Sequence, residues 1–166
     1  TYRGYAAQDL CSKCKFEEVA YLILNGELPN KKQLKNFETQ ERKERKLSNT
    51  LLADIKKIPK KAHPMDVART AVSIMGLEDK ETRDNSPNAN MRKAMRIFAK
   101  TPVALAAFYR ARKGKKIIPP KKKYSMSENF FHMCFGKVPN KEIVKAFDVS
   151  LILYAEHSFN VSTFTA

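Results

Sequence analysis

The 166-residue chain has no tryptophan, five glycines and three cysteines. Three thiols, two of them in Cys11-Ser-Lys-Cys14, cannot make a disulfide framework. Long apolar runs are also missing: no stretch approaches the ~18 consecutive apolar residues of a membrane span. The opening TYRGYAAQDL lacks the basic-then-apolar order of a signal peptide. No segment alternates apolar and polar residues as a half-buried strand does, and no internal repeat is visible. These absences lead to the expectation of a soluble, cytoplasmic, all-α protein. Apolar residues make up 43% of the chain, enough for a packed core and too many for a disordered tail.

Acidic residues are scarce as well. Thirty-two lysines and arginines face 17 aspartates and glutamates, a formal charge of +15. Such a field attracts polyanions, whether nucleic acid or a phosphorylated co-substrate. The basic residues gather in two zones, 31–61 (KKQLK, RKERK, KKIPKK) and 110–123 (RARKGKKIIPPKKK). Neither interleaves its lysines with a run of aromatic residues, as a single-strand binding surface would. The commoner reading of such runs, solvated helix faces and loops, is adopted, with no specific nucleic-acid partner.

The thiols leave alternatives open. Cys11 and Cys14 suit a redox pair or half a zinc site, and His132 with Cys134 would complete a Cys₃His set. The plainer expectation is that Cys11 and Cys14 flank a helix start and Cys134 packs in a core. Nothing in the spacing brings the two pairs together, so no metal site is assigned.

Helical spacing runs along almost the whole chain. Phe16, Val19, Ala20, Ile23 and Leu24 form one stripe closed by Gly26. Asn30 caps a surface helix carrying Leu34 and Phe37, and Ser48 precedes LLADIKKI, which ends before Pro59. Pro64 opens MDVARTAVSIMG, with Met65, Ala68, Val72 and Met75 along one stripe, Ala71 beside it and Gly76 as the stop. LEDKETRDNSPNAN is a loop. A long helix is expected over about 88–113, kinked or split by Pro102. IIPPKKKYS is a loop, 129–135 a short helix stopped by Gly136, and Asn140 caps KEIVKAFDVSLILYAEH. In that last helix Ile143, Phe147, Leu151 and Tyr154 are expected to be buried.

Four blocks carry a family likeness. YRGYAAQDL, FEEVAYLILNGELP, AHPMDVARTAVSIMG and DVSLILYAEHSFNVSTFTA, in that order and spacing, resemble the amino-terminal part of the citrate synthase family. The likeness runs from Tyr2 to Ala166 and is weakest in the lysine-rich segments. It implies a homodimer with a multi-helical large domain and a smaller closing domain. Residues 1–166 would form a partial large domain without internal boundary, the small domain being absent from this chain.

The implied reaction condenses acetyl-CoA with oxaloacetate to citrate and CoA. An aspartate removes an α-proton from the acyl group, one histidine stabilises the enol, and another polarises the ketone. Acyl-CoA is a co-substrate, and no permanently bound cofactor is implied. By the resemblance, His157 binds oxaloacetate. On pattern alone that role competes evenly with a histidine satisfied by a backbone carbonyl near a helix end. An imidazole N–H there can donate to a carboxylate or ketone oxygen, and a helix starting near Asn160 or Ser162 would aim its free N–H groups at the same dianion.

His63 is expected to hold the turn before Pro64, His132 to be packed or partly exposed, and Arg3 and Arg69 to brace the fold by pairing with acidic groups. The family's catalytic histidines, base aspartate and substrate arginines lie beyond the STFTA block, so no catalytic residue is assigned in this chain, nor any cofactor-binding residue. The isolated 166 residues are therefore expected to be inactive, as a fragment or a subunit whose catalytic half lies elsewhere. Two further readings stand beside this one. LYAEHSFNVSTFT is also similar to the 2-methylcitrate synthase branch, which uses propionyl-CoA, and a non-catalytic protein could keep this framework for assembly. A eukaryotic source would place the enzyme in the mitochondrial matrix.

Overall fold

Polar side chains placed to satisfy the first free N–H groups set where most of the helices begin. Asn30 accepts from the N–H groups of Lys32 and Gln33, and the Gln33 side chain accepts from Asn30 N–H in return. Ser48 accepts from Leu51 N–H at 3.0 Å, Ser86 from Ala89, Ser125 from Glu128 and Asn140 from Ile143. His63 does the same with its ring, Nδ1 accepting from Met65 N–H at 3.2 Å, which is the turn-holding role expected of it.

The structure, a computed structural model, describes residues 1–156. Among them the elements are α1 (Ala7–Lys13), α2 (Phe16–Asn25), α3 (Lys31–Glu44), α4 (Asn49–Lys57), α5 (Pro64–Glu78), α6 (Pro87–Arg112), α7 (Met126–Phe135) and α8 (Lys141–Tyr154). The described residues form no strand beyond an isolated bridge between Tyr2 and Tyr5, so the all-α expectation holds. None of these helices is long and apolar enough to cross a membrane.

Contacts divide the chain into two compact units. One comprises Thr1–Glu38 and the described residues from Asn140 onward, and the other Thr39–Pro139. In the first, α8 packs against α1 and α2. In the second, α6 is the hub, touched by α4, α5 and α7, with α4 also against α5. Its core gathers Leu51, Ile55, Val67, Ala71, Phe108 and Met133 around the alanines at 104, 106 and 107. Burial of side chains this size contributes about 1.5–3 kcal/mol each, so the long helix is stabilised by its neighbours more than by its own propensity.

Several expectations are corrected. A helix, α1, precedes the first one expected; it contains Cys11, and Cys14 both closes it and stands just before the Lys15 N-cap of α2. Gly76 does not stop α5, which runs on to Glu78; the buried stripe is Val67, Ala71 and Met75, while Met65 is 67% exposed. Pro102 does not split α6, which continues from Pro87 to Arg112; packing on several helices outweighs the loss of an intrahelical hydrogen bond. Helix α7 begins at Met126, because Ser125 and Glu128 form a capping box that sequence inspection passed over.

The largest correction concerns α8. Ile143 and Tyr154 are exposed, at 48% and 80%, and the buried positions are Asp148 and Ile152. A carboxylate on the buried face disguised that face as polar.

Candidate functional site

The site begins at the other end of the chain, with the turn Tyr2-Arg3-Gly4-Tyr5. Tyr2 and Tyr5 exchange both backbone hydrogen bonds, N–H to carbonyl, at 2.9 and 3.0 Å. The two residues between them have positive φ, 50° at Arg3 and 90° at Gly4, as a tight hairpin turn with right-handed twist requires. Glycine takes this conformation freely, whereas arginine does not. Arg3 is held by donating from Nη2 to the Ile23 carbonyl at 3.2 Å. Its partner is therefore a backbone oxygen and not the acidic group expected; Arg69 does pair with an acid, Asp66, at 2.9 Å on the surface.

The turn drives the Tyr2 ring into the first unit, where only 6% of the residue stays exposed. Its hydroxyl lies 2.8 Å from the Ile152 carbonyl oxygen and 2.9 Å from that of Leu153, and donates its proton between them. Both carbonyls belong to the last turn of α8, where intrahelical partners run out. Burial raises the Tyr2 pKa, and nearby Cys11 and Glu156 raise it further, so the group remains a protonated donor.

Two more contacts pin α8 in this unit. The Asp148 carboxylate accepts from Phe16 N–H, the first residue of α2, at 2.9 Å. This places a negative charge at a helix N-terminus, where the dipole favours it. Lys145 Nζ reaches the carbonyls of Cys11 and Cys14 at 3.3 and 3.4 Å, cations suiting a helix C-terminus for the converse reason. The next residue after this pinned segment is His157, the expected oxaloacetate ligand, which lies outside the described residues. Neither Tyr2 nor Asp148 was singled out from sequence, because their partners stand 150 and 132 positions away and no local pattern encodes such a pair.

Two of the three thiols are held back from reactive chemistry. Burial pushes the Cys134 thiol up to about 11, and burial followed by the Glu18 charge raises Cys14. Cys134 packs in the core of the second unit, while Cys11 and Cys14 belong to the first. Among the described residues no group of three or more His, Cys, Asp or Glu side chains is placed to hold a metal ion.

A cluster of carboxylates lies in the second unit. Arg96 donates to Asp79 at 2.7 and 3.0 Å and to Glu81 at 2.7 Å, and Arg92 Nε also donates to Glu81, at 3.0 Å. Hydrogen bonds from Arg92 and Arg96 hold Glu81 down to about 2. Burial works to raise Asp79, but Arg96 and the Glu81 backbone N–H outweigh it and the net shift is downward. Carboxylates held ionised this firmly are poor proton donors and acceptors near neutrality, so the cluster is a clamp on the 79–86 loop and not an acid–base pair.

The lysines of the first basic zone prove to be surface, whereas Arg45 within it is buried. Lys31, Lys32, Lys35, Lys43, Lys46, Lys56, Lys57, Lys60 and Lys61 are all exposed. Lys113 stands over the Tyr109 ring at 4.7 Å and Lys123 over Tyr124 at 4.9 Å. These cations use the protein's own aromatic faces. An apolar hollow of about 270 Å³ lies between Leu47, Leu52, Val103 and Ile117, with Lys46 and Lys56 at its rim. No other titratable group lines it.

The resemblance is confirmed by comparison. The family profile described as "Citrate synthase, C-terminal domain" matches residues 1–166. The chain is 48% identical to a citrate synthase of Mycolicibacterium smegmatis over 166 residues, all of this chain and 44% of that protein. It is 47% identical to a 2-methylcitrate synthase of Mycobacterium tuberculosis, again over all of this chain and 42% of the relative.

Solved structures agree. Citrate synthase from Pyrobaculum aerophilum superposes with a TM-score of 0.92 at 31% identity, over 98% of this chain and 43% of that one. Citrate synthase from Thermoplasma acidophilum, solved as a ternary complex with carboxymethyl coenzyme A and oxaloacetate, gives 0.89 at 25% identity, over 97% and 42%. The fold is thus that of part of a citrate synthase. The chain belongs to the citrate synthase family, and it spans less than half the length of these relatives.

Proposed function

We propose that residues 1–166 form the oxaloacetate-binding part of a citrate synthase that condenses acetyl-CoA with oxaloacetate, and that His157 is the ligand this chain contributes. The carrying observation is the family match over every residue of the chain, the segment that contains His157 included. The way α8 is pinned at the residues just before that position supports it.

In this reading His157 donates an imidazole N–H to a carboxylate or ketone oxygen of oxaloacetate, fixing the dianion before the acyl group arrives. The base aspartate, the enol-stabilising histidine and the substrate arginines of the family are not among these 166 residues. The isolated chain therefore binds oxaloacetate weakly and does not turn over acyl-CoA, since removing members of a catalytic set costs several orders of magnitude in rate. The enzyme acts as a homodimer in the cytoplasm, and its surplus positive charge raises the capture rate of the anionic CoA thioester.

A second acyl substrate has its own support. Relatives named as 2-methylcitrate synthases match as well as those named citrate synthases, at 47% against 48%. Propionyl and acetyl differ by one methylene, which an apolar pocket discriminates by only ~1–3 kcal/mol. Acetyl-CoA remains the reading adopted.

The test is a titration of the chain with oxaloacetate, following the imidazole resonances of its three histidines, alongside thiol-release assays with acetyl- and propionyl-CoA. Binding that shifts the His157 resonance and disappears in His157→Ala, without CoA release by the isolated chain, is the expected result. Binding that survives His157→Ala removes the ligand assignment, and CoA release by these 166 residues removes the division of labour.

A further inference from the structure

We infer that the apolar hollow of the second unit is a binding site for a straight-chain aliphatic carboxylate. The tail lies between Leu52, Val103 and Ile117, and the anionic head between Lys46 and Lys56. All of these residues belong to one unit, and the inference does not depend on the role proposed for His157.

The walls of the hollow are held in place from outside it. Leu47 and Val103 belong to the buried core, and Leu52 and Ile117 pack against that core. The remaining wall is the segment 117–120, which is anchored at both ends. Arg110 Nε donates to the Lys116 carbonyl at 2.8 Å on one side. On the other, buried Arg45 donates to the Lys121 carbonyl at 3.0 Å, and Lys121 N–H donates to Oδ1 of buried Asn129 at 2.9 Å. Pro119 and Pro120 stiffen the span between these anchors, since the ring fixes φ. The cavity is therefore formed before any ligand arrives, as small-molecule sites usually are. At about 270 Å³ it lies just below the ~300–1,000 Å³ common among such sites, which suits a single short chain.

Charge selects the head. Both titratable groups of the lining are cations, and among the described residues no carboxylate lines the hollow. Neither Lys46 nor Lys56 enters an ion pair among those residues, whereas the adjacent Lys57 is paired with Asp54 at 3.2 Å. Exposed lysines flank the wall segment on both sides, Lys115 and Lys116 before it and Lys121, Lys122 and Lys123 after it. The wider field has the same sign. Basic and acidic residues are equal in number in the first unit, so the whole +15 surplus belongs to the second. Such a rim attracts an anion and repels a cation. A bilayer surface would call for apolar side chains that protrude, but Ile117 and Ile118 are half-buried and the apolar surface is a recess.

The full chain, with ¹³C-labelled Ile, Leu and Val methyls, is titrated with octanoate. The methyls of Leu52, Val103 and Ile117 should shift saturably, while those of the exposed Ile143 and Leu153 in the first unit stay in place. Shortening the ligand to hexanoate and then butanoate should weaken binding about two- to fourfold per methylene removed. Octanol, which keeps the tail and lacks the charge, should bind about five- to tenfold more weakly than octanoate. Lys46→Gln with Lys56→Gln should cost octanoate about the same five- to tenfold. Lys60→Gln with Lys61→Gln removes equal charge from exposed lysines outside the hollow and should cost less than about twofold.

Hollow methyls that do not shift saturably would overturn the inference. So would a loss from the Lys60 and Lys61 pair as large as that from Lys46 and Lys56, because the general field would then be the cause. Affinity independent of chain length would leave the apolar walls no part in binding and overturn it as well. Capture of the chain by phosphatidylglycerol vesicles, with octanoate leaving the hollow unmoved, would make this region a membrane surface instead.

Discussion

Arg45 grips Glu41 one helical turn behind it along one edge of its guanidinium, Nε to Oε1 and Nη2 to Oε2, each at 2.7 Å, and both residues are shut away from solvent. The remaining nitrogen, Nη1, donates to the carbonyls of Lys121 and Tyr124 at 3.0 Å, so a buried charge at the end of α3 organises the proline-rich loop before α7. Arg45→Ala leaves a buried carboxylate without this partner and should destabilise the chain by about 3–5 kcal/mol in urea titration. Replacing both members, Arg45→Met with Glu41→Leu, should recover most of that loss. A single variant as stable as the parent would show that the pair is not buried in solution.

The Glu81 clamp predicts an acid-side stability change. Its folded pKa, about 2, lies below the ordinary 4.5. The contribution is therefore fully present above about pH 4.5 and is lost as pH falls toward 2. Glu81→Gln should flatten that part of a Tm-against-pH curve and leave the neutral region with its slope unchanged. A curve as steep as that of the parent would assign acid sensitivity to other carboxylates.

His132 behaves in the opposite chemical sense. It is buried on α7 with its ring 5.2 Å from that of Tyr124, and its Nε2 has no hydrogen-bond partner. Burial lowers its pKa from the ordinary 6.5, and the charges of Lys121 and Lys123 lower it further, against a hydrogen bond to the Pro119 backbone. The unfolded chain binds that proton more readily, so the stability contributed is full above about pH 6.5 and declines as pH falls toward the folded value. In NMR titration the His132 ring resonances should stay constant from pH 8 to about 6.5, where an exposed imidazole has begun to shift. A midpoint at or above 6.5 would contradict the burial.

Gly136 ends α7 with φ at 82°, and a Cβ there would stand 3.5 Å from Ile118 Cδ1. The space is adequate, so the cost of Gly136→Ala is conformational, about 1–2 kcal/mol. A D-alanine introduced at the same position by chemical synthesis should recover most of it. Equal losses from both enantiomers would point to crowding against Ile118 instead.

Much of this molecule was legible locally. Caps at Asn30, Ser48 and Asn140, Pro64 at a helix start, and Gly26 and Gly136 at helix ends act through neighbours within a few residues, so their signals survive in the linear pattern. The family likeness was equally legible, because it is carried by whole blocks of residues.

What misled was any position whose meaning depends on a distant partner. Asp148 on the inner face of α8 went unread until α2 offered it a helix N-terminus, and Pro102 looked like a kink or a break until three neighbouring helices held α6 together. Tyr2 gave no sign of a role because its partners are the carbonyls at the far end of the chain. Periodicity and capping chemistry, being local, determined that the chain is helical and where most helices start and stop. Which faces are buried, and what holds the last turn of α8, depends on long-range pairing, and only the tertiary structure decided it.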